Sequence, residues 1–334
     1  MKRREFIVKS TSGIAIPLTI PLLSSCNHTP VPIPLWQCSH NSTSLETIIV
    51  IEGLTKPFNV MQISDSHISC DNDSDREYET YSTRMNRAYP LVNHFKTNEQ
   101  ITPLQCFDEL MDTAQNESVE LIALTGDIVN YPSATAVEAV RQKVTSTGIR
   151  HIYVAGNHDW HYEGMKGSAN ELRKEWCTTR LQPLYTGNNM FFSSLIVNGI
   201  NMITIDNSTY QITEEQLEFY KQQKECSEPI VIFAHIPFFM PSLGNCCGHP
   251  DWGAAVDRNF ELERRERWSE LGNNSTTKEF IHQIATTYKL GGIFTGHWHQ
   301  NRTITSADKK QCVAGAAFNG QYRMLRFIPI DNKV

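Results

Sequence analysis

The chain has no C-x-x-C pair among its nine cysteines, and a thiolate zinc ribbon needs such pairs. It has no internal repeat. The apolar run Gly13–Leu23 falls well short of the roughly 20 residues that span a bilayer. Basic charge is also scarce: 30 Lys and Arg face 36 Asp and Glu, a net of -6. Residues 1–26 carry Lys2, Arg3, Arg4 and Lys9 against Glu5, a sum of +3, so the remainder stands at -9. An acidic body with no basic, aromatic-interleaved stripe argues against a general nucleic-acid binder. It does not count against a small phosphate ester, whose binding depends on local metal charge. What is present, 40% hydrophobic and 20% charged residues over 334 positions, suits a soluble globular enzyme. One large α/β domain fits that length as well as two would.

Residues 1–26 read as a signal peptide, a basic start followed by a short apolar stretch. Arg3-Arg4-Glu5-Phe6-Ile7 resembles a twin-arginine export signal, with the usual lysine displaced to Lys9. Leu23-Ser24-Ser25-Cys26 resembles a bacterial lipoprotein box in which Cys26 takes the lipid. The alternative is an ordinary secretory signal with an incidental cysteine. Residues 27–44 are rich in Pro, Ser and Thr and read as a tether. The expected protein is therefore exported to the periplasmic side of a bacterial membrane and anchored there through Cys26. Eight cysteines remain for that oxidising compartment, where some can pair, but spacing gives no connectivity.

The rest of the chain, 45–334, is expected to form one catalytic domain with an insertion at about 237–275. Thr47–Ile51 and Phe58–Ile63 read as a first strand pair, and Asp71–Asn86 as a surface excursion. Helical spacing covers Leu104–Gln115 and Ala134–Thr147. Asn198-Gly199 between two apolar runs predicts a hairpin. Thr213 with Gln216 opens a helix to about Glu225, and Thr276 with Glu279 stands in the same capping register before another. Between these lie short apolar strands, each ending in polar residues: the α/β pattern.

Five strand ends deliver Asp65 and His67, Asp127, Asn157 and His158, His235, and His297 and His299. On extended backbone an alternating pair such as Asp65-x-His67 points both side chains the same way. Imidazole, carboxylate and carbonyl donors suit Mn, Fe, Zn or Ni, and one shared carboxylate suffices for two neighbouring cations.

These blocks are Asp-x-His, Gly-Asp, Gly-Asn-His-Asp, a lone His after a strand, and Gly-His-x-His. In that order they resemble the calcineurin-like metallophosphoesterase superfamily over roughly residues 58–330. The resemblance implies a four-layer α-β-β-α sandwich with a centre of two divalent or trivalent metals at the carboxyl ends of the strands. Carried over residue by residue, Asp65, His67 and His299 hold one metal, Asn157, His235 and His297 the other, and Asp127 bridges them. His158 becomes the catalytic histidine on the leaving-group side and Asp159 its orienting partner, unless Asp159 only caps the turn. A hydroxide bridging the metals would attack a phosphate ester of a small molecule. Purple acid phosphatases place a tyrosine ligand where this chain has Asn130, with Tyr131 one further on, so tyrosinate ligation is not expected. Phosphatase and phosphodiesterase stay open, the latter restricted to cyclic nucleotides or phospholipid-type diesters. A non-catalytic metal-binding scaffold is the other class. His161, Tyr162, Trp298 and Arg323 are candidate substrate contacts, each with a structural alternative, and the insertion is a candidate lid.

Overall fold

The protein is described by a computed structural model over residues 45–241, 243, 246–249 and 273–330. The expected signal peptide with Cys26, the tether at 27–44 and most of the 237–275 insertion lie outside these residues. In chain order come β1 (Glu46–Ile51), β2 (Phe58–Ile63), α1 (Glu79–Met85), β3 (Val92–Asn93), β4 (Gln100–Ile101), α2 (Pro103–Asn116) and β5 (Leu121–Thr125). Then follow α3 (Ala134–Ser146), β6 (Arg150–Val154), α4 (Ala169–Thr179), β7 (Phe192–Val197) and β8 (Ile200–Ile205). The chain closes with α5 (Glu214–Glu225), β9 (Ile230–Phe233), α6 (Ser275–Thr286), β10 (Leu290–Thr295), β11 (Arg302–Ser306), β12 (Lys309–Val313) and β13 (Arg323–Pro329).

Two sheets carry the architecture, in the orders β1-β13-β2-β5-β6 and β11-β12-β10-β9-β8-β7. β2, β5 and β6 run parallel in the first, as do β8, β9, β10 and β12 in the second. Their inner faces share one apolar layer, with Val60, Leu121 and Ile152 on one side and Met202, Val231 and Phe294 on the other. Alternation within each strand sends the intervening residues outward. Met61, Ile122 and Leu124 meet Phe107, Leu110, Val140 and Trp176 on the helices outside the first sheet. Ile203, Ile232 and Ile293 meet Leu217, Tyr220, Phe280 and Ile284 outside the second. The result is a four-layer α-β-β-α sandwich. Strands buried on both faces read in sequence as short continuous apolar runs, because no face is left for polar residues.

Helix starts follow local chemistry. Thr102 with Gln105, Ser168 with Glu171 and Thr213 with Gln216 each form a reciprocal capping box. At α6 the cap is Asn274, whose side chain accepts from Thr277 N, so Thr276 and Glu279 are not a capping box. The asparagine caps the helix two residues earlier. β1 and β2 are not paired as predicted, because β13 lies between them, parallel to β1 and antiparallel to β2. Within 71–86 the chain forms a 3-10 turn (Asp73–Tyr78) and then α1. All seven described cysteines are free thiols.

Candidate metal centre

The five polar strand ends meet at one edge of the sandwich, beyond the carboxyl ends of β2, β5, β6, β9 and β10. Three groups have donor atoms within 4.8 Å of one another: Asp65, His67 and His299; His67, Asp127 and His158; Asp127, His235 and His297. Asp127 and His67 each belong to two groups. Asp127 Oδ2 lies 3.0 Å from His235 Nε2 and 3.9 Å from His67 Nε2, while its Oδ1 accepts from the His158 amide at 2.7 Å. Asp65 Oδ1 is 3.3 Å from His299 Nε2, and His299 Nε2 is 3.2 Å from His67 Nε2. Asn157 is buried in the same loop as His158, and its Oδ1 has no hydrogen-bond partner.

The paired residues do not converge by alternation on extended backbone. Asp65, His67, His297 and His299 have φ of 58°, 44°, 70° and 53°, and Asp127 has 52°. All five are left-handed, a conformation uncommon outside glycine and costing of order 1–3 kcal/mol where held under strain. Crossed backbone bonds hold it in place. Asp65 N donates to Gly126 O, His67 N to Asp127 O and Gly296 N to His235 O, each at 2.8–2.9 Å. Close approach makes two glycines obligatory. A Cβ on Gly126 would stand 2.6 Å from His235 Nδ1, and one on Gly156 would overlap the Asp127 amide and carboxylate.

Electrostatics make the cluster interdependent. Burial would push the Asp127 carboxyl up, but the imidazoles of His235 and His158 outweigh it and hold it well below its ordinary range. Burial likewise opposes charge on His235, yet the Asp127 carboxylate brings it up to about 10. His67 moves the other way, driven well below its ordinary value by burial and the neighbouring His158. A chain that packs two buried carboxylates among five imidazoles, with no thiolate among them, offers the donor chemistry of a hard or borderline cation. Buried polar atoms are ordinarily satisfied, and the unpartnered Asn157 Oδ1 and His235 Nε2 fit a cation as their partner.

Asp159 does not orient His158 in this geometry. Its fully buried carboxylate accepts from Asp127 N, Val129 N and Gly156 N, each at 2.8 Å, stapling the Asp127 loop to the Asn157 loop. Burial, with Asp127 adding to it, pushes its carboxyl up to about 7. His158 Nδ1 instead faces Asn130 O at 3.4 Å. Among the candidate substrate contacts, Arg323 is fully buried and donates to Thr47 Oγ1, Asn301 Oδ1 and Val313 O. Tyr162 is packed between Tyr78 and Trp176, and His161 is buried as well. Trp298 is half-buried beneath Arg302. Tyr131 lies 2.9 Å from Asp71 Oδ2 and 2.6 Å from Asn86 Oδ1, and Asn130 Nδ2 donates to Ser69 Oγ and Met85 O.

Three aromatic residues beside the cluster carry no motif and were not legible in the sequence. Tyr89 stacks on His67 at 4.4 Å, and Phe318 lies 5.2 Å from His299. Tyr210 OH lies 2.6 Å from His297 Nε2. Each comes from a segment distant in sequence from the histidine it touches.

The calcineurin-like phosphoesterase family is matched over residues 58–301. The chain belongs to that family and is by class a hydrolase of phosphoric ester bonds. Among solved structures, a dimetal phosphatase from Danio rerio is similar in fold, with 10% identity and a TM-score of 0.50 over 80% of this chain and 91% of that one. The purple acid phosphatase PPD1 from yellow lupin seeds has 12% identity and a TM-score of 0.48, covering 82% of this chain but 46% of that enzyme. Phosphopantetheinyl hydrolase from Mycobacterium tuberculosis has 12% identity and a TM-score of 0.39 over 78% and 90%. No curated protein sequence matches the chain.

Proposed function

We propose that this protein hydrolyses a phosphate ester of a small molecule at a two-metal centre. The observation that carries the reading is the sharing of Asp127 between donor groups on either side of it. Asp65, His67 and His299 would hold one cation and Asn157, His235 and His297 the other, with Asp127 serving both. Two cations there would supply the charge that makes water nucleophilic at neutral pH and binds the phosphoryl oxygens. Mn, Fe, Zn and Ni all suit the donors. Asp65 and Asp127 lower the site's net charge without cancelling it, so a phosphate is drawn in and still released. With His158 Nδ1 directed at Asn130 O, Nε2 is the nitrogen that can give a proton to the leaving oxygen. Such a transfer is worth typically 10²–10⁴-fold. The leader sequence supports export and lipid anchoring through Cys26; an unlipidated mature protein in the soluble periplasmic fraction would remove the anchor.

The test is hydrolysis of an aryl phosphate monoester beside the matching diester by manganese-loaded protein. Asp127→Ala is the control and is expected to lose both bound metal and turnover. Faster diester cleavage directs the substrate search to cyclic nucleotides and phospholipid-type diesters; faster monoester cleavage assigns a phosphatase. If neither ester is cleaved with two equivalents bound, the hydrolytic reading of this site fails.

A further inference from the structure

We infer that Tyr210 is a positioning residue of the centre. It fixes the ring of His297 through Nε2, so that the ring presents Nδ1 to the group it forms with Asp127 and His235. The inference rests on the two-metal reading above. An imidazole has two nitrogens, and which one meets a cation is set by the bond the other makes. The structure shows this device twice on one side of the cluster. His235 gives Nδ1 to Thr125 O at 2.9 Å, leaving Nε2 directed at Asp127 Oδ2. At His297 the polarity is reversed: Nε2 is the nitrogen held, by the Tyr210 hydroxyl at 2.6 Å. The two rings lie 5.2 Å apart and nearly perpendicular, and Tyr210 meets the His297 ring at 82°.

Tyr210 is itself held firmly. It is buried, with a left-handed φ of 60°, and its amide donates to Asn207 O at 2.7 Å. Asn207 in turn exchanges two bonds with Ile236, the residue after His235: Nδ2 to Ile236 O at 2.6 Å and Ile236 N to Oδ1 at 3.0 Å. The loop after β8 is thereby built onto the strand end that carries His235, and the phenol comes to His297 at a fixed place. A packing role alone would not require a hydroxyl directed at that nitrogen.

The experiment compares wild type, Tyr210→Phe and His297→Ala by calorimetric titration of the metal-free protein with manganese. A second readout is the visible spectrum after loading with ferric iron. Wild type is expected to bind two equivalents. Tyr210→Phe should bind the first as wild type does and the second about 10–100-fold more weakly, with turnover restored by excess metal; His297→Ala should lose the second equivalent. Wild-type affinity for both equivalents in Tyr210→Phe would overturn the role. So would a fall in its metal-free melting temperature as large as that of a core truncation, which would make Tyr210 a packing residue. A phenolate-to-iron band present in wild type and absent from Tyr210→Phe would overturn it in another way, by making Tyr210 a ligand. Fewer than two equivalents in wild type would sink the two-metal reading, and this inference with it.

Discussion

Asp159 shows how one side chain sets the geometry of two loops. Its carboxylate gathers amides from Gly156, Asp127 and Val129, and each would otherwise be a buried donor without a partner. An unsatisfied buried donor costs about 1–3 kcal/mol. Asp159→Ala is therefore expected to lower the stability of the metal-free protein by roughly 3 kcal/mol or more by that measure, read in urea unfolding, while Asp159→Asn recovers part of it. A wild-type urea midpoint together with lost turnover would instead return Asp159 to the role of orienting His158. For His158→Ala the expectation is the converse: metal content near wild type and a turnover number lower by about 10²–10⁴-fold. Unchanged turnover would strike it from the chemistry. The sequence placed His158 and the donors from Asp65 to His299 in one strand-end set. It did not show that five of the donors sit in left-handed backbone, because that conformation is imposed by bonds from loops remote in sequence.

The N-terminus of α3 is the clearest case at the scale of an element. Ser133 caps it locally by accepting from Ala136 N. A carboxylate 59 positions earlier completes the job: Asp75 accepts from Ala134 N and Thr135 N, and from the hydroxyls of Ser133 and Thr135. Burial would raise the Asp75 carboxyl, but the Thr135 hydroxyl, those amides and Ser133 together hold it below its ordinary value. A lowered folded value means that the ionised group's contribution is complete above its unfolded value, about pH 4. It is lost as pH falls through the lower folded value. Asp75→Asn should cost about 1–3 kcal/mol at neutral pH and flatten the acid limb of the stability profile. An unaltered acid limb would show that the cap contributes nothing. Spacing made the helix itself legible. The remote half of its cap was not, just as Asn274 displaced Thr276 at α6 and β13 displaced β2 as the neighbour of β1. Local chemistry proposes a partner, and a better-placed group from elsewhere takes its position.

In the whole molecule, the centre joins the two sheets, with Asp65, Asp127 and His158 from one and His235, His297 and His299 from the other. Gln62 makes the same join just beneath, donating to Thr125 Oγ1 and across to Thr295 O. Metal binding should therefore stabilise the sandwich as a unit. At a free concentration 100 times Kd each independent ion adds about 2.7 kcal/mol. A chelator is expected to lower the melting temperature of wild type and leave that of Asp127→Ala unmoved. Equal shifts in both proteins would place the stabilising ions elsewhere. The inter-sheet layer sets the stability of the metal-free chain. Phe233→Ala in it should cost about 3–5 kcal/mol, and full stability in that variant would mean that the layer repacks.

The sequence by itself determined the class of fold and the set of strand-end donors. Both are written in local patterns: apolar runs too short for helices, and glycine turns followed by His, Asp and Asn. The tertiary structure alone decided which donors share a neighbour, how their backbones are bent, and which residues stand behind the rings. Tyr210 behind His297, Tyr89 on His67 and Asp159 under three amides come from segments that local spacing cannot relate. Contact between such segments is created only when two sheets close on a common layer. The physical reason is range. Periodicity and capping act over a few residues, whereas a buried hydrogen bond can join any two segments that packing brings together.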